Sequence, residues 1–143
     1  MIIDGKKLSE KLCAQVRAET EMMQRRPCLA AVLVGEDPAS RIYVRNKERD
    51  CVKCGIDSRR YELPDTVSEA ELLALIDSLN RDDAVDGILV QLPLPEHISE
   101  RKVINAVAPE KDIDAFHPIN VGRMVTGEGT LTPCTPAGIM AML

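Results

Sequence analysis

The seven residues Cys28–Val34 form an unbroken apolar run. A short apolar run between turn residues is typical of a strand that is buried on both faces, as in a parallel sheet. Gly35 and Pro38 follow the run, and Pro38 suits the first turn of a helix. Gly55 is a natural C-terminal stop, so the helix is expected to end near Cys54. The sequence therefore predicts a strand, a turn and a long helix in direct succession.

A second buried strand is predicted at Gly87–Leu92, which two closely spaced prolines then follow. Proline ends a strand because it has no N–H to donate to the ladder. Between the two strands we expect a more polar edge strand at Ile56–Leu63 and a helix that the capping box Ser68–Glu71 opens. A further helix is expected after Ser99. Strands that alternate with helices predict an α/β domain in three layers, with a mainly parallel sheet flanked by helices.

The two ends of the chain carry weaker signals. Near the start, apolar residues at four-residue spacing over Leu8–Val16 predict an amphipathic first helix that ends before Pro27. From Pro109 onward loops are expected, until Thr135 and Pro136 cap and open a last helix.

Composition limits the function classes. The chain has 143 residues, a net charge of −5 and no basic patch, so nucleic acid is not expected as a partner. No run approaches the roughly 18 apolar residues of a membrane span. The start also lacks the apolar core of a signal peptide. We therefore expect a cytoplasmic protein that does not contact the membrane.

Cysteine usage argues against disulfide and metal sites. The chain has five cysteines, and an odd number is a poor basis for a disulfide framework. Cys51 and Cys54 have Cys-x-x-Cys spacing, but no second Cys or His pair lies nearby to complete a zinc site. We expect reduced packing thiols and no bound metal.

Three polar residues share a stripe of the central helix. Ser40, Tyr43 and Lys47 lie at helical spacing with apolar residues, so the stripe is expected to face inward. Lys47 either extends to water along apolar surface or is held for chemistry. Gln91 ends the second buried strand, where its amide needs a hydrogen-bond partner or water. Ligands of open α/β sheets bind beyond the carboxyl ends of strands, so these groups point to a site at that edge.

Four motifs in a fixed order carry a family resemblance. They are Ser40-x-x-Tyr43-x-x-x-Lys47, Val90-Gln-Leu-Pro-Leu-Pro95, Lys111-Asp-Ile-Asp114 and Pro133-Cys-Thr-Pro136. Together they make the chain, from Ile3 onward, resemble bacterial bifunctional methylenetetrahydrofolate dehydrogenase/methenyltetrahydrofolate cyclohydrolases. One departure is Ala115, where the family usually has glycine. An alanine there would be strained if the position has a positive φ.

The resemblance implies two reactions. An NADP-dependent step oxidises 5,10-methylenetetrahydrofolate to 5,10-methenyltetrahydrofolate, and a hydrolytic step converts the latter to 10-formyltetrahydrofolate. It also implies three catalytic residues: Lys47 exchanges protons, Gln91 orients and tunes that lysine, and Tyr43 packs against the folate. Burial would help a lysine act as a base, because burial disfavours the charged form.

The same resemblance implies the substrate-binding set. Asp114 would hold the pterin ring nitrogens through charge-assisted hydrogen bonds. The remaining members of the set are Tyr43, Ser40, Gln91 and Leu92. His117 is expected to be structural rather than a general base, and His97 to be a surface loop residue.

No dinucleotide fingerprint is present, because Gly127-Glu-Gly129 has no third glycine and no helix signal after it. The resemblance implies that NADP binds to a second, Rossmann-type domain, which is not in this chain, and that the full-length protein is a homodimer. Residues 1–136 are expected to form the folate-binding catalytic domain, and residues 137–143 the start of an interdomain helix. Two alternatives stay open: a folate-binding module without turnover, and an unrelated small α/β interaction domain.

Overall fold

The computed structural model describes residues 4–129 and 131–143; the sequence start Met1–Ile3 and Thr130 lie outside the described residues. The described residues form six helices and three strands. In chain order they are α1 (Gly5–Glu21), β1 (Cys28–Val34), α2 (Pro38–Lys53), β2 (Asp57–Leu63), α3 (Glu69–Arg81), β3 (Gly87–Val90), α4 (Glu100–Ala106), α5 (Pro118–Thr126) and α6 (Cys134–Met142).

The three strands form one parallel sheet in the order β2-β1-β3. Cys28 pairs with Asp57 at the start of the register between β1 and β2, and Leu29 pairs with Gly87 between β1 and β3. The apolar strand β1 is thus central, and the more polar β2 lies at an edge. Both predictions are confirmed, because a central parallel strand is covered on both faces whereas an edge strand is not.

Each face of the sheet carries its own hydrophobic cluster. Alternate residues of β1 point to opposite faces, so Val32 packs with the residues of α3 and α4, and Leu33 packs with Val44 of α2. Leu72 and Val103 are fully buried on the first face. Burial of each such side chain contributes about 1.5–3 kcal/mol. The helix–sheet–helix arrangement confirms the three-layer α/β prediction.

Helix α2 begins at Pro38, as expected for a proline that suits the first turn, and the residue before it is the cap. Asp37 is the N-cap, and its carboxylate accepts a hydrogen bond from the Ser40 N–H at 2.7 Å. Hydrogen bonds from Ser40 hold the pKa of Asp37 below its ordinary value. At the other end Gly55 has φ +72°, which confirms its predicted role after the helix.

The capping box that opens α3 is confirmed in both directions. The Glu71 N–H donates to the Ser68 hydroxyl at 3.2 Å, and the Ser68 N–H donates to the Glu71 carboxylate at 2.9 Å. Ser99 likewise caps α4, as predicted.

Two predicted boundaries and one predicted loop were wrong. Strand β3 ends at Val90, earlier than the predicted Leu92. A helix occupies Pro118–Thr126, where a loop was expected. Helix α6 begins at Cys134, after Pro133 as N-cap, rather than after the predicted pair Thr135 and Pro136.

The first helix is present and ends before Pro27, as predicted, and its apolar face is only partly covered, since Leu12 is 44% exposed. Together with Gly138 and Met142 of α6, this face lines a groove of about 320 Å³. None of the helices over residues 4–129 and 131–143 is long and apolar enough to cross a membrane.

Candidate active site

A cavity of about 860 Å³ lies between α2, the carboxyl end of β3, the loop around residues 113–116 and the start of α6 at residues 133–136. We call it the α2–β3 cavity. Its volume falls within the range of small-molecule sites, and its place matches the rule that ligands bind beyond strand carboxyl ends. Five of the six predicted site residues line it: Tyr43, Lys47, Gln91, Leu92 and Asp114.

Lys47 and Gln91 meet inside this cavity. The Lys47 Nζ donates to the Gln91 Oε1 at 3.5 Å, and Lys47 is partly buried. The Gln91 Nε2 donates to the Leu92 carbonyl at 2.7 Å, which turns the amide oxygen toward the lysine. Because 3.5 Å is long for an N–H···O hydrogen bond, the ammonium group can turn to a bound molecule without losing a strong contact.

The sheet fixes the position of Gln91. Its N–H donates to the Val32 carbonyl at 2.9 Å, so the residue after β3 is still held to the central strand. Lys47 comes from the middle of α2, the helix that directly follows that central strand. The cavity thus brings together a helix residue and a strand-end residue that are 44 positions apart.

Asp114 supplies a carboxylate to the same cavity. It is partly buried, and this burial raises the pKa of Asp114 above its ordinary value. The positive charge of Lys47 acts in the opposite direction and lowers the pKa, while the neighbouring Asp112 raises it further. Desolvation is the largest of the three effects.

Ala115 follows Asp114 in a left-handed conformation. Its φ is +56° and its side chain is 1% exposed. The expectation that alanine would be strained at this position is therefore confirmed, since a residue with a Cβ in this region costs about 1–2 kcal/mol. The strained residue lies directly beside the carboxylate of the cavity.

Tyr43 differs from its predicted place on an inward face, because it is 61% exposed. The residues of the predicted stripe of α2 differ in burial. Ser40, Val44 and Cys51 are buried, whereas Tyr43 is exposed and Lys47 is half-buried. Tyr43, Lys47 and Cys51 line the cavity. Tyr43 therefore forms a wall of the cavity rather than part of the core.

Ser40, the sixth predicted residue, does not line the α2–β3 cavity. It is buried in the first turn of α2, beside the capping residue Asp37. The structure gives Ser40 a place at the start of the helix, one turn before Tyr43.

Sequence reasoning missed part of the cavity wall. Phe116, which is 48% exposed, and Ile113 lie on either side of Asp114 and line the cavity with it. Phe116 is the only phenylalanine in the chain, and a half-exposed aromatic residue next to a motif carboxylate is a usable signal for a binding wall.

The cavity floor contains two thiols, Cys51 and Cys54. Burial raises the pKa of both, that of Cys54 to about 11. A thiol with a raised pKa is a poor nucleophile, because the thiolate is the reactive form. These side chains suit packing, as predicted.

Comparison with known proteins identifies the family. Residues 3–114 match the family model for the catalytic domain of tetrahydrofolate dehydrogenase/cyclohydrolase. The chain belongs to the tetrahydrofolate dehydrogenase/cyclohydrolase family. The matched residues contain the whole of β1, α2 and β3, and they end at Asp114.

Relatives of this family match the chain almost throughout. The bifunctional protein FolD of Magnetococcus marinus is 58% identical over 99% of this chain, and that of Bacillus cytotoxicus is 51% identical over all of it. The chain spans about half the length of these curated relatives, 51% in both cases.

Solved structures of the family share the fold. The bifunctional FolD dehydrogenase/cyclohydrolase of Campylobacter jejuni is 44% identical, with a TM-score of 0.97 over 100% of this chain and 52% of its own. The FolD dehydrogenase-cyclohydrolase of Trypanosoma brucei, solved with NADP cofactor and an inhibitor, is 32% identical, with a TM-score of 0.96 over 100% of this chain and 50% of its own. The described residues of the present chain contain one sheet and no second, Rossmann-type unit.

Proposed function

We propose that this chain is the folate-binding catalytic half of a bifunctional one-carbon enzyme. The full protein would oxidise 5,10-methylenetetrahydrofolate to 5,10-methenyltetrahydrofolate with NADP and hydrolyse the product to 10-formyltetrahydrofolate. The observation that carries the proposal is the α2–β3 cavity, which joins Lys47, Gln91 and Asp114 at one sheet edge. Family membership and the names of the relatives support it.

The described residues around the α2–β3 cavity do not suit a site for NADP. A dinucleotide site needs glycines that let backbone N–H groups approach the pyrophosphate at a helix N-terminus. The N-terminus of helix α6 borders the cavity, but no glycine lies among residues 131–136 that lead into it, and Pro136 in its first turn has no N–H to donate. We therefore derive no hydride step from this chain and assign the nicotinamide site to the rest of the full-length protein.

The hydrolytic step can be derived from this chain alone. Water adds to the methenyl carbon, and the neutral Lys47 amine accepts the proton that the water loses. The resulting ammonium then donates a proton to the pterin ring nitrogen as the bond from that nitrogen to the same carbon breaks. The hydroxyl of the adduct releases its proton to solvent as it becomes the carbonyl of the formyl group, which stays on the other nitrogen. General acid–base catalysis of this kind requires that the group lie within reach of substrate, and the cavity position of Lys47 meets that requirement.

Gln91 and Asp114 act on binding and orientation in this proposal. The Gln91 oxygen accepts from Lys47 and keeps the amine near the reacting carbon. Asp114 accepts hydrogen bonds from the N–H groups of the pterin ring, in the partly buried setting in which charge-assisted bonds are strong. Tyr43 and Leu92 both line the cavity and offer apolar surface to the flat ring system. We assign Ser40 only an indirect binding role, through the start of α2.

The organisation of the full protein follows from the family. We infer that residues 1–136 form the folate-binding domain and that residues 137–143 continue in a connecting helix. We also infer a cytoplasmic homodimer, on the basis of the family resemblance. The chain spans 51% of the length of its relative from Magnetococcus marinus. This share is consistent with a folate site in one unit and a nucleotide site in a second unit.

A second candidate is a folate-binding module without turnover, which the lack of a dinucleotide site in this chain favours. One experiment separates the two. The purified chain is mixed with 5,10-methenyltetrahydrofolate, and the loss of its absorbance is followed and corrected for spontaneous hydrolysis. Catalysed loss supports the enzyme, whereas calorimetric binding of folic acid without catalysed loss supports the module. If the chain neither binds folic acid nor catalyses the loss of absorbance, both candidate functions are contradicted.

A further inference from the structure

Asp112 is a buried acidic residue that the proposed mechanism does not use. It is 6% exposed. Its Oδ2 accepts hydrogen bonds from the His117 N–H at 2.8 Å and from the Asn120 Nδ2 at 3.0 Å. A buried carboxylate lowers the stability of the fold unless hydrogen bonds such as these satisfy it, so the presence of Asp112 at this position calls for an explanation.

The segment around Asp112 is fixed to the sheet at its start. The Ile88 N–H donates to the Lys111 carbonyl at 2.7 Å, and Asp112 forms a parallel bridge with Ile88 of β3. The Lys111 ammonium also donates to the Leu79 and Asp82 carbonyls, at 3.0 and 2.9 Å. Residues 111 and 112 therefore extend the sheet edge beside β3.

The same segment is fixed at its end by α5. Asn120 is 4% exposed and donates both to Asp112 and to the Pro109 carbonyl, the latter at 2.8 Å. His117 caps α5, with its Nδ1 accepting from the Ile119 N–H at 3.1 Å. The carboxylate of Asp112 thus ties the first turn of α5 back to the sheet.

Between these two attachments the chain makes the turn that carries Asp114. The Ala115 N–H donates to the Asp112 carbonyl at 3.3 Å, and Ala115 has the strained φ of +56°. A strained residue persists only where its surroundings over-determine its conformation. Here the hydrogen bonds of the Asp112 side chain supply that constraint.

We propose that Asp112 is a positioning residue for Asp114: its two buried hydrogen bonds hold the 112–117 turn closed and thereby aim the Asp114 carboxylate into the α2–β3 cavity. The functional part of this inference rests on the proposed folate site. A purely structural Asp112 would affect stability alone, so the test needs a measurement that a loss of stability does not change.

The first test is a double-mutant cycle on ligand affinity, with folic acid as the probe in titration calorimetry. Asp112→Ala is expected to weaken binding at least tenfold in the wild-type background and less than twofold in the Asp114→Ala background. The effect disappears because Asp112 acts only through Asp114. Asp112→Asn, whose amide oxygen can accept both hydrogen bonds, is expected to stay within about fivefold of the wild type.

The second test does not need folate. Carbon-13 NMR titration of the Asp114 carboxyl reads its surroundings, in which Lys47 and Asp112 are the charged groups that act on it. Asp112→Ala is expected to lower the pKa of Asp114, because the variant removes a neighbouring negative charge and lets the carboxyl move toward water. Asn120→Ala, which opens the same attachment without a change of charge, is expected to shift the pKa in the same direction.

Asn80→Ala is the matched control. The Asn80 side chain also bridges two backbone groups, Ala106 O at 2.7 Å and Ala108 N at 2.9 Å, but it does not line the cavity. It is expected to lower stability and to leave both readouts unchanged. Circular dichroism verifies that each variant is folded at the temperature of the measurement.

Each outcome has a definite meaning. Equal losses of affinity in the two backgrounds, or an Asp114 pKa that Asp112→Ala and Asn120→Ala both leave unchanged, would overturn the positioning role. Failure of the wild-type chain to bind folic acid would contradict the proposed folate site instead. The NMR titration would still decide whether Asp112 positions Asp114.

Discussion

The Lys47 Nζ lies 3.5 Å from the Gln91 Oε1, and this contact joins the middle of α2 to the residue that follows β3. Neither residue has another side-chain partner among the hydrogen bonds of residues 4–129 and 131–143. Within the described part of the chain, the Gln91 side chain makes one further bond, to the Leu92 carbonyl. The pair therefore faces the α2–β3 cavity with a donor that substrate can reach.

Substitution of Gln91 should change both the rate of hydrolysis and its pH dependence. Gln91→Glu places a negative charge beside Lys47, which favours the ammonium form, so the rise of activity with pH should move to higher pH. Gln91→Ala should lower the rate at least tenfold without such a charge-driven shift. The pH profile of 5,10-methenyltetrahydrofolate hydrolysis tests this, and identical profiles for Gln91→Glu and the wild type would contradict it.

Asp114 should make stability and ligand affinity depend on pH in opposite senses. Burial raises its pKa in the folded chain, so the folded state holds the proton to higher pH than the unfolded state does. Stability contributed by this group is present below its ordinary pKa, about 3.9, and falls as pH rises through the raised value. Folic acid affinity should rise over the same interval as the carboxylate forms.

Asp114→Asn is the comparison for that prediction. At neutral pH it should be more stable than the wild type toward urea, and the difference should vanish below the ordinary pKa of an aspartate, about 3.9. The amide should also remove the pH dependence of affinity in this interval. A wild-type chain whose stability, relative to Asp114→Asn, increased through this interval would contradict the assignment.

Ala115 provides a test of backbone strain beside the site. Ala115→Gly relieves about 1–2 kcal/mol of left-handed strain but loses a buried methyl group worth about 0.8 kcal/mol, so its stability should stay within about 1 kcal/mol of the wild type. Ala115→Val should destabilise by more than about 2 kcal/mol, because a β-branched residue is worse at positive φ. Urea unfolding measures both, and an equal effect of the two substitutions would exclude strain as the cause.

Asp37 should stabilise α2 through its cap. Asp37→Ala is expected to cost about 0.5–2 kcal/mol of unfolding free energy, because the Ser40 N–H loses its acceptor. Asp37→Asn keeps an acceptor in the same place and should cost much less. Urea unfolding of the two variants compares them directly, and equal losses would show that the cap does not contribute as described.

The sequence allowed prediction of the parts of the fold that depend on local patterns. Strand β1 was predicted to the residue, because a central parallel strand is apolar throughout. Helix α5 was missed although its apolar residues recur at helical spacing, because a polar, loop-like motif comes directly before it and only Asn120 of its residues is buried in the fold. Its stop signal, Gly127 at φ +77°, was present but was considered only as part of a nucleotide motif.

Two kinds of evidence in the sequence predicted the site: the rule that ligands bind beyond the carboxyl ends of strands, and the family motifs. They placed Lys47, Gln91 and Asp114 together, and the α2–β3 cavity does the same. Periodicity could not separate Tyr43 from the buried residues of α2, because residues three and four positions apart lie on the same face of a helix whether or not that face is fully covered. The role of Asp112 was also beyond sequence reasoning, since its partners become visible only once the 112–117 turn has closed.

The central claim is that Lys47 exchanges protons with the substrate, and Lys47→Met tests it most directly. Arg45→Met is the matched control, since Arg45 is an exposed cation two residues earlier on the same helix, outside the cavity wall. The measurement is the initial rate of 5,10-methenyltetrahydrofolate hydrolysis, corrected for the spontaneous reaction. Our account predicts a loss of about two to four orders of magnitude for Lys47→Met, with an unchanged fold and unchanged folic acid binding, and a near wild-type rate for Arg45→Met. A Lys47→Met rate above about a tenth of the wild-type value would contradict it.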